Sequence, residues 1–296
     1  MLPYDYTKEN YAKTGYVYEG FTTYYGDKLL YSSDVFTLDQ YFETLQERLT
    51  KHFHNYGRYN LSVADSSWET WLDGYVPGVP YRKTNIYDEG SLIAFMLDVK
   101  ILKATANKKS LRDVCVLLFE KYGQKNIGYS EQTIIDLVNQ ISGEDFTDFF
   151  KKFVYAPQDF ETELVYCFNY LAIDFIKQAN KNECEHTYGF KVADQMQNAK
   201  VTLVAPYSPA WKAGLFNGDD IIAVNGIALK NNLNNWLAYF AADAEIKLTV
   251  NSAEQLKKIV LQKDKKNQTY FFNPMLQLNK SAFPEHKENF EAWKEQ

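Results

Sequence analysis

The chain has 296 residues, 46% of them hydrophobic and 24% charged, which suits about two globular domains and excludes a mainly disordered chain, a collagen and a disulfide scaffold. Its 32 basic and 38 acidic residues leave a net charge of −6, the wrong sign for a surface that tracks phosphates, so no nucleic-acid partner is expected. No run approaches the ~18–20 apolar residues of a membrane span, and Met1-Leu2-Pro3-Tyr4-Asp5-Tyr6 has neither the basic nor the apolar region of a signal peptide.

Helical periodicity runs to about residue 157. In Thr37–Phe53, Leu38, Tyr41, Phe42, Leu45, Leu49 and Phe53 recur at three-to-four spacing. Thr37 and Gln40 make a capping box there, and Gly57 follows the end. The more apolar residues 89–104 predict a buried helix. Ser110–Tyr122 opens on a Ser110/Asp113 box and stops at Gly123, Ser130–Ile141 stops at Gly143, and Asp145–Val154 carries four Phe residues before Pro157. Five or six helices with short connectors describe a helical lobe.

Short strands follow: Tyr188–Val192, Lys200–Val204, Asp220–Val224, Ile246–Val250 and Lys258–Leu261. Asn225-Gly226 between apolar runs predicts a two-residue hairpin, because both residues tolerate positive φ. Ser208-Pro209 to Gly214 predicts one short helix, with Ser as cap and Pro in the first turn. Asn232–Ala241 predicts a second, with Leu233, Trp236, Leu237 and Phe240 on one stripe. Residues 263–296 read as a polar tail that opens on the solvated run Lys263-Asp264-Lys265-Lys266. The expected domains are a helical lobe at 1–158, an α+β module at 159–262 and the tail at 263–296.

Cys115, Cys167 and Cys184 are three, and none forms a CxxC pair. Free thiols are expected, which favours a reducing, cytoplasmic setting for a soluble chain. A periplasmic one stays open should a longer parent carry a signal peptide.

The stretch from Val204 to Gly226, with Ser208-Pro209-Ala210, Ala213-Gly214-Leu215, Gly218-Asp219 and Asn225-Gly226 in register, resembles the signature of bacterial PDZ domains. The resemblance covers roughly 160–262. It implies that a peptide adds as a strand beside Tyr188-Gly189-Phe190, that loop N–H groups hold its terminal carboxylate, and that the helix at Asn232–Ala241 closes the groove. Leu233, Trp236 and Leu237 are candidates for the groove wall, or else plain core.

The N-terminal half has a signature of its own. Tyr18-Glu19-Gly20-Phe21, Gly57-Arg58, Asp65-Ser66-Ser67-Trp68-Glu69, Ile86-Tyr87-Asp88-Glu89-Gly90 and Ser110-Leu111-Arg112-Asp113 resemble segments of the glycyl aminopeptidases. These are gluzincin zinc metallopeptidases with a thermolysin-like catalytic domain followed by a PDZ domain. A tail ending near Trp293 fits as well. The resemblance implies that Glu19 is the third zinc ligand, on the helix after an HExxH motif, and that the Tyr87 hydroxyl stabilises the tetrahedral oxyanion. The alternatives are an ordinary helical carboxylate and a Tyr at the start of a buried helix. Glu89 stands where Lys is usual.

No HExxH occurs in the chain. His52 and His54 are two apart on one predicted helix, so they cannot chelate as an i, i+4 pair would. All four His, with His186 and His286, are expected at the surface. The reading is therefore of a C-terminal piece of a zinc aminopeptidase, glycine- or alanine-preferring by resemblance. It would begin just after the HExxH helix, with Met1 as an introduced start, and would be inactive alone. Zinc belongs to the parent enzyme, and the piece itself is expected to bind none. Partners would be a peptide or protein substrate and a peptide C-terminus at the PDZ groove. The alternative is a non-catalytic PDZ peptide-binding protein on a degenerate peptidase-like scaffold.

Overall fold

The computed structural model describes residues 4–73, 79–264 and 269–296; Met1, and Lys265 and Lys266 of the charge run, lie outside them. The architecture is a mainly helical region and a smaller α+β module. The chain forms two compact units: residues 1–176 with 274–296, and residues 177–273.

In the first unit a π-helical turn, Tyr16–Phe21, runs into α1 (Thr22–Ser32). Then come α2 (Leu38–His54), α3 (Val63–Trp68), α4 (Thr70–Asp73), α5 (Ile86–Ala104), α6 (Leu111–Leu118), α7 (Glu131–Ser142), α8 (Thr147–Phe153) and α9 (Glu161–Tyr170). The capping box that opens α2 is present: Gln40 N–H donates to Thr37 Oγ1 at 3.3 Å, and Thr37 N–H donates back to Gln40 Oε1 at 2.9 Å. Gly143 ends α7 in the left-handed conformation, at φ 73°. After α6 the last turn widens into a π-helical turn at Phe119–Gly123.

Helix α5 is the axis of this unit, with fifteen of its nineteen residues buried. The π-helical turn, α1, α2, α3, α6, α7 and α9 all pack on it. Its Asp98, fully buried, forms an ion pair with Lys28 at 3.2 Å and accepts hydrogen bonds from the Tyr24 hydroxyl and from Leu111 N–H.

The chain leaves this unit along β1 (Ile173–Gln178), traverses the second unit, and returns along β8 (Asn273–Leu278), which pairs with β1. The segment expected as a polar tail thus holds a strand and a helix, α13 (Pro284–Glu295). Helix α13 buries Asn289, Phe290 and Trp293 on one narrow face. Three side chains in a charged segment leave its average polarity high, which hides the helix from composition. The unit limits fall at 176 and 273, not at 158 and 262, because α9 and α13 pack together with the helical region.

The second unit holds α10 (Glu183–His186), β2 (Phe190–Asp194), β3 (Ala199–Val204), α11 (Pro209–Lys212), β4 (Asp220–Val224), β5 (Ile227–Ala228), α12 (Leu233–Tyr239), β6 (Glu245–Ser252) and β7 (Gln255–Gln262). The sheet order is β2-β3-β4-β6-β7, with β5 on β4. Asn225 and Gly226 make the β4–β5 turn at φ 48° and 82°. Ala253 and Glu254 make the β6–β7 turn, also at positive φ and without the usual turn residues.

Candidate functional site

Glu19 sits in the π-helical turn, half-buried. Wide turns of this kind often occur where a side chain must be aimed at a site. Its carbonyl accepts hydrogen bonds from Thr22 and Thr23 hydroxyls at 3.0 and 2.7 Å. Its carboxylate has no hydrogen-bond or ion-pair partner among the described residues.

Gly20 and Gly90 bring the turn and α5 together. A methyl group at Gly20 would lie 2.4 Å from Gly90 Cα, and one at Gly90 would lie 2.7 Å from Gly20 Cα. Only two glycines allow backbones to approach so closely. The crossing leaves Glu19 one residue from the contact on its helix and Tyr87 three residues from it on α5.

The other motif residues hold these two segments. Ser67 accepts a hydrogen bond from Gly15 N–H at 2.8 Å and donates to the Ala12 carbonyl, fixing the approach to the π-helical turn. Ser66 accepts from Thr84 N–H and Thr84 Oγ1, fixing the approach to α5. Asn85 caps α5 by accepting from Tyr87 N–H at 2.8 Å. Gly57 packs on the Lys83 carbonyl, and Asn55 donates to that same oxygen at 3.0 Å. The buried Arg58 donates to the last carbonyls of α2 (His52 and Phe53) and to Asp159. These sequence fragments, far apart in the chain, build one support.

Tyr87 is half-buried in the first turn of α5. With Asn55, Thr70, Lys83, Thr84, Asn85 and Ile86 it lines a cavity of about 240 Å³. The sequence reading missed the polar partners in this wall; Asn85 ahead of Ile86 was the one available signal, as a helix cap.

The expectation that all four His lie at the surface is corrected. His52 is fully buried and His54 is buried. The His52 Nδ1 lies 2.8 Å from Glu89 Oε2, its Nε2 accepts a hydrogen bond from Phe160 N–H at 3.3 Å, and its ring stacks on Phe160. An acceptor at Nε2 requires the proton at Nδ1, so the imidazole donates to the carboxylate. Glu89 is the reason His52 can be buried: the two satisfy each other inside the lobe. All three cysteines are free thiols, with Cys167 and Cys184 buried.

In the second unit, Tyr188, Gly189 and Phe190 are buried at the start of β2. Gly189 has φ 73°, and a Cβ there would strike Ser208. The Gly189 carbonyl accepts from Ala205 N–H at 2.7 Å, and the Tyr188 carbonyl accepts from Ala210 N–H at 3.0 Å. Strand β2 pairs with β3 on one edge; among the described residues no strand covers the other. Leu233 and Leu237 are part of this unit's core, and Trp236 packs half-buried against it. The Trp236 Nε1 is buried with no hydrogen-bond partner among the described residues.

Residues 1–93 match the family model of M61 glycyl aminopeptidases, and residues 200–251 match a PDZ domain model. The chain is thus similar to an M61 glycyl aminopeptidase segment at its N-terminal end and to a PDZ domain further on. A crystal structure of an aminopeptidase N family protein from Idiomarina loihiensis shares the fold, with a TM-score of 0.87 at 24% identity, over 99% of this chain and 50% of that one. The chain spans half the length of that structure. The PDZ domain of EpsC from Vibrio cholerae matches over 34% of this chain and 96% of its own, at 19% identity and a TM-score of 0.22. A PDZ domain protein from Parabacteroides distasonis matches over 31% of this chain and 20% of its own, at 18% identity and a TM-score of 0.23. No curated protein matches the chain. No described helix is long and apolar enough to cross a membrane.

M61 peptidases are generally metallopeptidases. A catalytic zinc takes three protein ligands and one water. Among the described residues no group of three or more His, Cys, Asp or Glu could hold a metal ion. The M61 segment offers Glu19 as one candidate ligand, so these residues do not fit a catalytic zinc by themselves.

Proposed function

We propose that this chain supplies part of the active centre of an M61-type aminopeptidase and carries that enzyme's peptide-binding PDZ domain. Glu19 would be one metal ligand. The other two, and the general base, would come from an HExxH helix on a segment outside this chain. Tyr87 would donate its phenolic hydrogen bond to the oxyanion that forms on the scissile carbonyl, where a fixed donor lowers the barrier. The substrate class implied by the resemblance is a peptide with an N-terminal glycine or alanine. The close packing of Gly20 on Gly90, which sets Glu19 and Tyr87 on touching helices, carries this reading.

For the PDZ domain, the uncovered edge of β2 supports recognition of a peptide by strand addition, with Tyr188, Gly189 and Phe190 beside the ligand and Trp236 as the candidate wall. Leu233 and Leu237 would support that wall from the core. The resemblance puts a peptide carboxyl terminus at the loop. A second reading, a non-catalytic peptide-binding protein, is favoured by the single candidate ligand.

Hydrolysis of glycine and alanine p-nitroanilides separates the two readings. The chain alone should be inactive. A polypeptide that joins an HExxH-bearing segment to this chain should cleave both, and Tyr87→Phe should lower kcat at least about tenfold with little change in KM. Activity unaffected by Tyr87→Phe would overturn its assigned role. No activity in the joined polypeptide would favour the non-catalytic reading.

A further inference from the structure

We infer that Asn85 binds the substrate, donating from its side-chain amide to the main-chain carbonyl that follows the scissile bond. This inference rests on the reading of Tyr87 as the oxyanion donor. Asn85 and Tyr87 line the same cavity of about 240 Å³.

The cap on α5 decides what Asn85 can offer. Its Oδ1 accepts from Tyr87 N–H at 2.8 Å and from Asp88 N–H at 3.4 Å. Turning the amide over would set Nδ2 against those two N–H donors, so the oxygen stays on the helix and Nδ2 stays away from it. Nδ2 has no hydrogen-bond partner among the described residues, and Asn85 is exposed. The helix therefore holds a pair of N–H donors in a fixed place on the cavity wall, open to a ligand.

The neutral polar side chains around it are engaged within the protein. Asn55 Nδ2 donates to the Lys83 carbonyl at 3.0 Å, and Asn55 Oδ1 accepts from Gly57 N–H at 2.9 Å. The Thr70 hydroxyl donates to the Ser66 carbonyl at 3.0 Å, and the Thr84 hydroxyl donates to Ser66 Oγ at 3.1 Å. Lys83 is the charged residue of the wall, and no carboxylate stands among the described lining residues to compete for the Asn85 donors. Donors without a protein partner select an acceptor. An extended peptide offers its next one a single residue beyond the scissile carbonyl, since successive Cα atoms are ~3.8 Å apart. With Tyr87 on the first carbonyl, the second is the next acceptor along the substrate, and Asn85 is an unengaged donor in the same wall.

The test uses the polypeptide that joins this chain to an HExxH-bearing segment. It compares glycyl-phenylalanine amide, which carries the second carbonyl, with glycine p-nitroanilide, which does not. Asn85→Ser and Asn85→Asp both keep an oxygen that can cap α5, and neither keeps the amide donors. Each should lower kcat/KM for the dipeptide amide at least about threefold more than for the anilide, chiefly through KM, as loss of a hydrogen bond made in the ground state requires. The ratio does not depend on how much of the variant folds. A ratio under about threefold would overturn the inference, since Asn85 would then serve only to hold the start of α5. Cleavage of the anilide but not of the dipeptide amide by the unsubstituted polypeptide would overturn it too. Failure of that polypeptide to cleave either substrate would instead contradict the aminopeptidase reading itself.

Discussion

Gly20 and Gly90 touch backbone to backbone, and neither position has room for a methyl group: the added carbon would sit 2.4 Å from Gly90 Cα in one case and 2.7 Å from Gly20 Cα in the other. Backbone cannot swing aside as a side chain can. Gly20→Ala and Gly90→Ala should each cost about 1–3 kcal/mol or more, through forced separation of the π-helical turn from α5. Gly26, exposed in α1 with nothing within 4 Å of its virtual Cβ, is the control. Gly26→Ala should gain up to about 1 kcal/mol, because Ala is the better helix former. Urea unfolding midpoints check all three.

A second prediction concerns how α13 is locked. Trp293 Nε1 donates to the Tyr24 hydroxyl at 2.9 Å, Tyr24 donates to Asp98 at 2.5 Å, and Lys28 lies over the Trp293 ring at 5.3 Å. Asp98→Ala would leave the buried Lys28 ammonium without its partner and should cost about 3–5 kcal/mol. Trp293→Ala should cost a similar ~3–5 kcal/mol through the cavity it leaves. The double variant should cost less than the sum, since both break one network. Denaturant curves for the four proteins measure that coupling.

Much of this fold could be read locally. The Thr37/Gln40 and Ser110/Asp113 boxes, Gly143, Ser208-Pro209 and Asn225-Gly226 each mark an element end by chemistry confined to a few residues, and the structure uses each of them there. What was hidden depends on distant partners. His52 looks like a surface residue until Glu89, thirty-seven positions on, is seen beside it. The pairing of β1 with β8 joins segments about a hundred residues apart. The two π-helical turns have no local signature. At the candidate site, Glu19 and Tyr87 were visible only through the family pattern, while the roles of Ser66, Ser67 and Asn85 in holding them emerge only from the packing.

A third prediction is alkaline. Burial pushes the Cys115 thiol and the Tyr129 hydroxyl each up to about 12. Both groups line one apolar cavity of about 350 Å³ with Phe119 and Ile127. The folded values lie above the unfolded ones, so their stabilisation is complete below pH ~9 and is lost as the pH climbs toward 12. Stability measured in urea should therefore be flat in this respect up to about pH 9 and then fall. Tyr129→Phe removes one of the two titrations and should make the fall shallower; an unchanged slope would contradict the assignment. At pH 8 the native Cys115 should react with a thiol reagent far more slowly than the unfolded chain does.

Glu19 is proposed as one ligand of a metal centre whose other ligands come from outside this chain. Zinc stoichiometry and affinity, measured by equilibrium dialysis on the chain alone and on a polypeptide that joins it to an HExxH-bearing segment, test this most directly. The chain alone should take up no tight one-to-one zinc. The joined polypeptide should bind one, with affinity falling at least about a hundredfold on Glu19→Gln. Tight one-to-one zinc on protein ligands of the chain alone, or joined-polypeptide affinity indifferent to Glu19→Gln, would contradict it.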